Sequence, residues 1–257
     1  MSALNCPKIE IIGIPNFPEI KPGDDLAEII VEKLDESGIE LRDGDVLVVA
    51  SKIVSKAEGL IVYLDNVKPS ERALRLSQIT GKDPRFVEVV LRESKKVVKA
   101  VKGHLIVMTK HGIVCANAGV DRSNVAGNRD LVLLLPRDPD KSARELRRKI
   151  LELTGKDVAV VITDTYGRPL REGHIDMAIG ISGIKPFKDY RGKKDLKGYV
   201  LRIKRIALAD EIASAAELIM GNGAEGIPIA IIRGLNYEKG DEPASLLNMD
   251  EKKWLFR

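Results

Sequence analysis

Asp164 sits between Thr163 and Thr165, directly after the apolar run Val158 to Ile162. Carboxylate and hydroxyl oxygens are the ligands that hard cations such as Mg2+ take, so this triplet is a candidate cation site. Arg168 and Arg171 follow closely, and guanidinium groups neutralise phosphate. A second group lies upstream, where Ser51, Lys52, Ser55 and Lys56 follow the apolar run Val46 to Ala50. On a helix, two lysines four apart share one face. Their charges, with the serine hydroxyls and backbone N–H groups, can hold a polyphosphate. The glycines and the G-K-[ST] order of a Walker loop are absent. Asp121 and Asn124 gather more oxygen just after Gly119, and the loop from Met220 to Ile227 carries three glycines that let backbone approach a ligand.

Each cluster also has a plainer reading. Asx turns explain Asp and Asn in loops, solvated lysines explain the second cluster, and a helix C-cap followed by a turn explains the glycines. An isolated Asp-Thr is more often a turn than a metal site, because short motifs have low specificity. The chemical reading rests on four such clusters in one chain.

The elements that must position these groups are legible from periodicity. Short β-branched runs bounded by polar or Gly/Pro signals read as strands at Lys8 to Ile14, Val46 to Ala50, His104 to Thr109, Leu131 to Leu135, Val158 to Ile162, Met177 to Ser182 and Pro228 to Arg233. Asp164 then lies at the carboxyl end of a core strand, where α/β proteins place ligands. Gly112 turns the chain into Ile113 to Ala116, the second strand of a hairpin. Helical spacing marks Asp25 to Ser37, a segment starting at Asp140 or Ser142 and ending at Leu153, and Ala209 to Met220. Residues Ser70 to Ala100 read as mostly helical with a break at Gly81 to Pro84. Val200 to Ile206 alternates apolar and basic residues like a half-exposed strand. Gly180 suggests close backbone packing inside its strand. Interleaved helices and strands with hairpin pairs predict a mixed α/β (α+β) fold with mixed parallel and antiparallel sheets. Residues 1–257 read as a single catalytic unit, with 237–257 as a polar C-terminal tail.

Composition narrows the function. The chain has 257 residues, 44% hydrophobic and 31% charged, with a net charge of +4. It has no membrane-length apolar run and no signal-peptide plan, so a cytoplasmic protein is expected. Two cysteines and three histidines speak against disulfides, a Cys-based zinc site or a His-rich metal site. Aromatic residues are 4%, which disfavours stacking on single-stranded nucleic acid. An anionic small-molecule substrate suits the mild positive charge.

The segments A-S-K-I-V-S-K-A-E-G, N-A-G-V-D-R-S-N, I-T-D-T-Y-G-R, A-I-G-I-S-G and M-G-N-G-A-E-G-I-P, in this order, resemble the coenzyme F-420 gamma-glutamyl ligases. The resemblance spans residues 8–236. It implies an enzyme that adds L-glutamate to a deazaflavin coenzyme precursor, using GTP, two Mn2+ or Mg2+ ions, and K+. It also implies an intertwined homodimer. By the same resemblance Ile14, Pro15, Asn16, Phe17, Ser51, Lys52, Lys56 and Asn124 match GTP-contacting positions, and Asp121, Asp164 and Thr165 match metal ligands. The loop Met220, Gly221, Asn222, Gly223, Ala224, Glu225, Gly226 and Ile227 matches a further nucleotide-binding segment. The family commonly has an acidic residue where this chain has Asn222. An amide oxygen can bind a hard cation but brings no charge, and Glu225 is the carboxylate available in the loop to compensate.

The chemistry is coherent with the clusters. A carboxylate must be activated before it condenses with an amine, and phosphoryl transfer from GTP would give an acyl phosphate. Asp121, Asp164, Lys52 and Lys56 are the residues expected to position and neutralise the transferring group. Two other classes use similar groups: a metal-dependent phosphohydrolase and a non-catalytic nucleotide-binding protein.

Overall fold

The computed structural model describes residues 6–122 and 130–255. In chain order, β1 (Glu10–Gly13), α1 (Leu26–Glu36), β2 (Val46–Ala50), α2 (Ser51–Ala57) and β3 (Ile61–Tyr63) lead to α3 (Glu71–Thr80) and α4 (Pro84–Arg92). The strands β4 (Ser94–Val101), β5 (His104–Thr109) and β6 (Val114–Ala116) come next, then β7 (Leu131–Leu133) and α5 (Pro139–Thr154). They are followed by β8 (Ala159–Gly167), β9 (His174–Ser182), β10 (Lys188–Asp189), β11 (Arg205–Ile206), α6 (Leu208–Met220) and β12 (Ile229–Arg233).

The main sheet has the order β1-β12-β2-β8-β9. Its β2–β8 pair is parallel and its other pairs are antiparallel. Alternation along each strand sends successive side chains to opposite faces, so the sheet has two cores. Leu47, Val160, Ile162 and Ile231 pack on one face with α1 and α5. Val48, Ala159, Val161 and Ile232 pack on the other with α6. Helix ends are fixed locally: the Asp25 carboxylate accepts from the Ala27 N–H, and Asp138 accepts from the Lys141 N–H ahead of α5. A further core joins α3 and α4 to the sheet β4-β5-β6, through Phe86, Val87, Val90, Leu105 and Val107.

Three expectations need correction. Ser94–Val101 is a strand rather than helix; its partner β5 covers one side of it, and the register shifts along that pair break the simple alternation. Residues 200–206 contribute the two-residue β11, paired with β10, and an isolated bridge from Val200 to Lys194, rather than one continuous strand. Third, β8 does not end at Ile162. It runs on to Gly167 because β9 continues to pair with it after β2 has stopped opposite Thr163.

Candidate active site

The end of β2 decides where the site forms. Ala50 pairs with Thr163, and at Ser51 the chain turns from strand into α2. Beyond Thr163 one edge of β8 is therefore open on the β2 side, while β9 holds the other. Successive residues of β8 face opposite ways. Asp164 points toward α2 and accepts a 2.6 Å hydrogen bond from the Ser51 hydroxyl. Thr163 and Thr165 point the other way and donate to the Asp176 carboxylate at 3.2 and 3.1 Å. The Thr165 hydroxyl is also 2.7 Å from Asn222 Oδ1. The Asn222 amide in turn donates to Glu217 at 2.9 Å and toward Asp176 at 3.4 Å.

Lys52, one residue into α2, pairs with Asp121 at 2.8 Å. Lys56, one turn later, lies 3.6 Å from Glu19. As the sequence spacing predicts, both lysines lie on one side of α2 and line one cavity.

That cavity, of about 310 Å3, is walled by Phe17, Lys52, Lys56, Asp164 and the loop from Met220 to Ile227. A second cavity, of about 390 Å3, is lined by Ile113, Asn117, Val120, Asp121, Tyr166 and His174, among others. Lys52, Asp164, Thr165 and Asn222 line both. The two chambers therefore meet at the carboxylate, hydroxyl and ammonium groups singled out by type.

Electrostatics agree with this convergence. Enclosure by protein, against the lowering hydrogen bond from Ser51, pushes the Asp164 carboxyl up to about 7, with the charges of Asp176 and Asp121 adding to the rise. Burial, and then the charge of Asp164, push the Cys115 thiol up to about 12. That thiol is accordingly no nucleophile at neutral pH. The wall of the second chamber is strained: Asn117 and Ala118 adopt φ of 54° and 58°, values that non-glycine residues seldom take. Such conformations concentrate at functional sites.

Among the described residues, no three Asp, Glu, His or Cys side chains are grouped closely enough to hold a metal by themselves. Asp121, Asp164, Thr165 and Asn222 nonetheless offer an all-oxygen donor set, which suits a hard divalent ion whose remaining ligands are water or phosphate oxygens.

The structure brings together Phe17, Ser51, Lys52, Lys56, Asp121, Asp164, Thr165 and Asn222 with the rest of its loop. Ile14 is fully buried, and its N–H donates to Ile229 O rather than facing a chamber. Pro15 and Asn16 also lie outside both chamber walls. Asn124 falls outside the described residues. Arg168 does not enter either chamber; its guanidinium donates to the Glu172 and Gly173 carbonyls of its own hairpin turn. Glu225 folds back onto the loop, accepting from the Gly223 N–H at 2.8 Å.

The family model for F420-0:gamma-glutamyl ligase matches residues 15–234. The chain belongs to that family. It is 50% identical to the coenzyme F420:L-glutamate ligase of Methanopyrus kandleri over 255 residues, 98% of each chain. It is 47% identical to the enzyme of that name from Methanothermobacter thermautotrophicus over 226 residues, 88% of this chain and 89% of the relative. With the enzyme from Methanocaldococcus jannaschii it shares 42% over 252 residues, 97% of each chain.

Within this ligase scaffold, the residue that sequence reasoning missed is Asp176. It lies in β9 directly opposite Thr165 and is 6% exposed. The signal was present: a carboxylate inside the run H-I-D-M-A-I-G, a few residues past a Gly-rich turn. Starting that strand at Met177 left Asp176 in a loop. Extending it back, so that the two strands share one hairpin, aligns Asp176 with the threonines.

Proposed function

We propose that this chain joins L-glutamate to the deazaflavin precursor of coenzyme F420, using GTP to activate the precursor carboxylate as an acyl phosphate. The observation that carries this reading is the pair of chambers meeting at Lys52, Asp164, Thr165 and Asn222. A ligase of this kind must bring a nucleotide and an acceptor to one point from opposite sides. The membership of the family and the names of its relatives supply the substrates.

GTP occupies the first chamber, with its phosphates toward Lys52 and Lys56. The acceptor occupies the second, and its carboxylate oxygen attacks the γ-phosphorus. The new O–P bond forms as the bond to the β–γ bridging oxygen breaks, and GDP leaves with that electron pair. The amine of L-glutamate then attacks the acyl carbon. A C–N bond forms, the C–O bond to phosphate breaks, and the ammonium group gives up two protons in all to solvent and phosphate. Lys52 and Lys56 neutralise charge on the transferring group, and the enclosed chambers keep competing water out. Bound Mn2+ or Mg2+ contributes further charge neutralisation to the phosphates. Asp121, Asp164, Thr165 and Asn222 are the residues that would hold it. A homodimer belongs to the same reading, supported by the exposed apolar side chains between β10 and β11.

The test is product analysis by mass spectrometry with GTP, Mn2+, K+, the precursor and L-glutamate, omitting one component at a time. Products longer by glutamate units, with GDP release that needs both glutamate and precursor, are expected. Equal phosphate release without glutamate points instead to a phosphohydrolase, and GTP binding without turnover to a sensor.

A further inference from the structure

Asn222 poses a problem that the surrounding side chains answer. A site for two divalent ions needs charge as well as oxygen, and an amide supplies only oxygen. Glu225, the obvious substitute by sequence, is committed to the Gly223 N–H on its own loop. Asp176 is the better-placed carboxylate. It is almost wholly buried and lines the first chamber. Its partners are the hydroxyls of Thr163 and Thr165 and the amide of Asn222, all of them neutral. None of the ion pairs among the described residues includes it. By contrast, the buried carboxylate Asp45 is paired with Arg233 at 2.7 Å. Enclosing a carboxylate without a positive partner is costly, so an anion held in this way calls for a cation from outside the chain.

The geometry around Asn222 points the same way. Its amide nitrogen is engaged by Glu217 and Asp176, which fixes the amide oxygen on the Thr165 side. We propose that Asp176 supplies the negative charge that Asn222 lacks, and that Asp176, Thr165 and Asn222 together hold a divalent cation on the α6 side of β8. Asp164 and Asp121 then serve a second ion on the α2 side. This assignment rests on the metal-dependent reading above, but metal binding can be measured apart from turnover.

The experiment is Mn2+ titration of the metal-stripped full chain, followed by electron paramagnetic resonance of free Mn2+, for wild type, Asp176→Asn, and Asp176→Asn combined with Asn222→Asp. Asp176→Asn preserves shape and an acceptor oxygen, and its thermal unfolding is recorded alongside to confirm the fold. Wild type is expected to bind two ions. Asp176→Asn should lose one of them, or bind it at least tenfold more weakly, while retaining the other. Moving the carboxylate to position 222 should restore the second ion, which a merely structural role for Asp176 would not produce. Unchanged Mn2+ stoichiometry and affinity in Asp176→Asn overturns the assignment, as does a wild type that binds fewer than two ions. Glutamate-dependent GDP release by wild type is assayed separately, so that failure of the ligase reading is seen independently of this one.

Discussion

At the scale of single residues, Asp164 carries a consequence for stability in the metal-free protein. Its unfolded carboxyl titrates near the ordinary aspartate value of 3.8, and enclosure raises the folded value to about 7. Between those two values the native state holds a proton that the unfolded state has lost, so stability from this group falls as pH rises through that window. Asp164→Asn copies the protonated shape and does not ionise. With metal stripped by chelator, pH 5 already lies inside that window, so the variant's advantage over wild type should grow between pH 5 and pH 8. Near pH 8 the variant should be more stable by roughly 1–2 kcal/mol, a figure discounted from the per-unit value because the carboxyl opens onto both chambers. Urea unfolding at the two pH values measures this, and a variant less stable at pH 8 than at pH 5, relative to wild type, contradicts it. The same substitution should abolish turnover. Asp164 was legible in the sequence because its run of β-branched neighbours gives it an address in the core. Asp176 was harder to place, because the run H-I-D-M-A-I-G acquires its meaning only when β9 is extended back past Met177 and paired with β8.

At the scale of elements, the close seat of α5 on β9 leaves no room for a single methyl group. A Cβ on Gly180 would lie 2.4 Å from the Pro139 carbonyl carbon and 2.5 Å from its oxygen. Backbone on both sides leaves no flexible side chain to yield. The seat is also held by Asp140, whose Oδ1 accepts from the Ile181 and Ala244 N–H groups at 2.8 and 3.1 Å. Gly180→Ala should therefore cost about 1–3 kcal/mol, the usual range for overpacking, read as a lower urea midpoint at unchanged slope. A midpoint equal to wild type would show that α5 can shift freely. The close approach at Gly180 was readable as a glycine inside an apolar strand. The end of the mostly helical reading of Ser70 to Ala100 falls on β4 for a complementary reason. S-K-K-V-V-K-A-V has no clear alternation, and only its pairing with β5 makes it a strand. Where a buried face dictates the period, as in β2 and β8, local pattern and fold agree. Where a strand is half-exposed, its partner decides.

At the scale of the whole molecule, the ribbon joining β10 to β11 has no evident task within one chain. Leu196 is fully exposed and Ile203 is 91% exposed, surrounded by lysines and arginines. None of the ribbon's residues lines either chamber. β9 runs antiparallel to β8, so Asp176 lies opposite Thr165, whereas Ser182 lies back at Val160. The chain enters the ribbon after Ser182, at the end of β9 opposite Val160. Large apolar side chains held out in this way mark an interaction surface, and a second copy of the chain is the partner that the proposed homodimer supplies. A two-fold interface uses the same patch on both subunits, so each substitution acts twice. Leu196→Glu with Ile203→Glu should convert the protein from dimer to monomer in sedimentation velocity, with helix content by circular dichroism unchanged because neither side chain belongs to a core. A wild type that sediments as a monomer would remove the basis for this surface. A double variant that remains dimeric would place the interface elsewhere, with the exposed Leu218 and Ile219 on α6 as the next surface to alter.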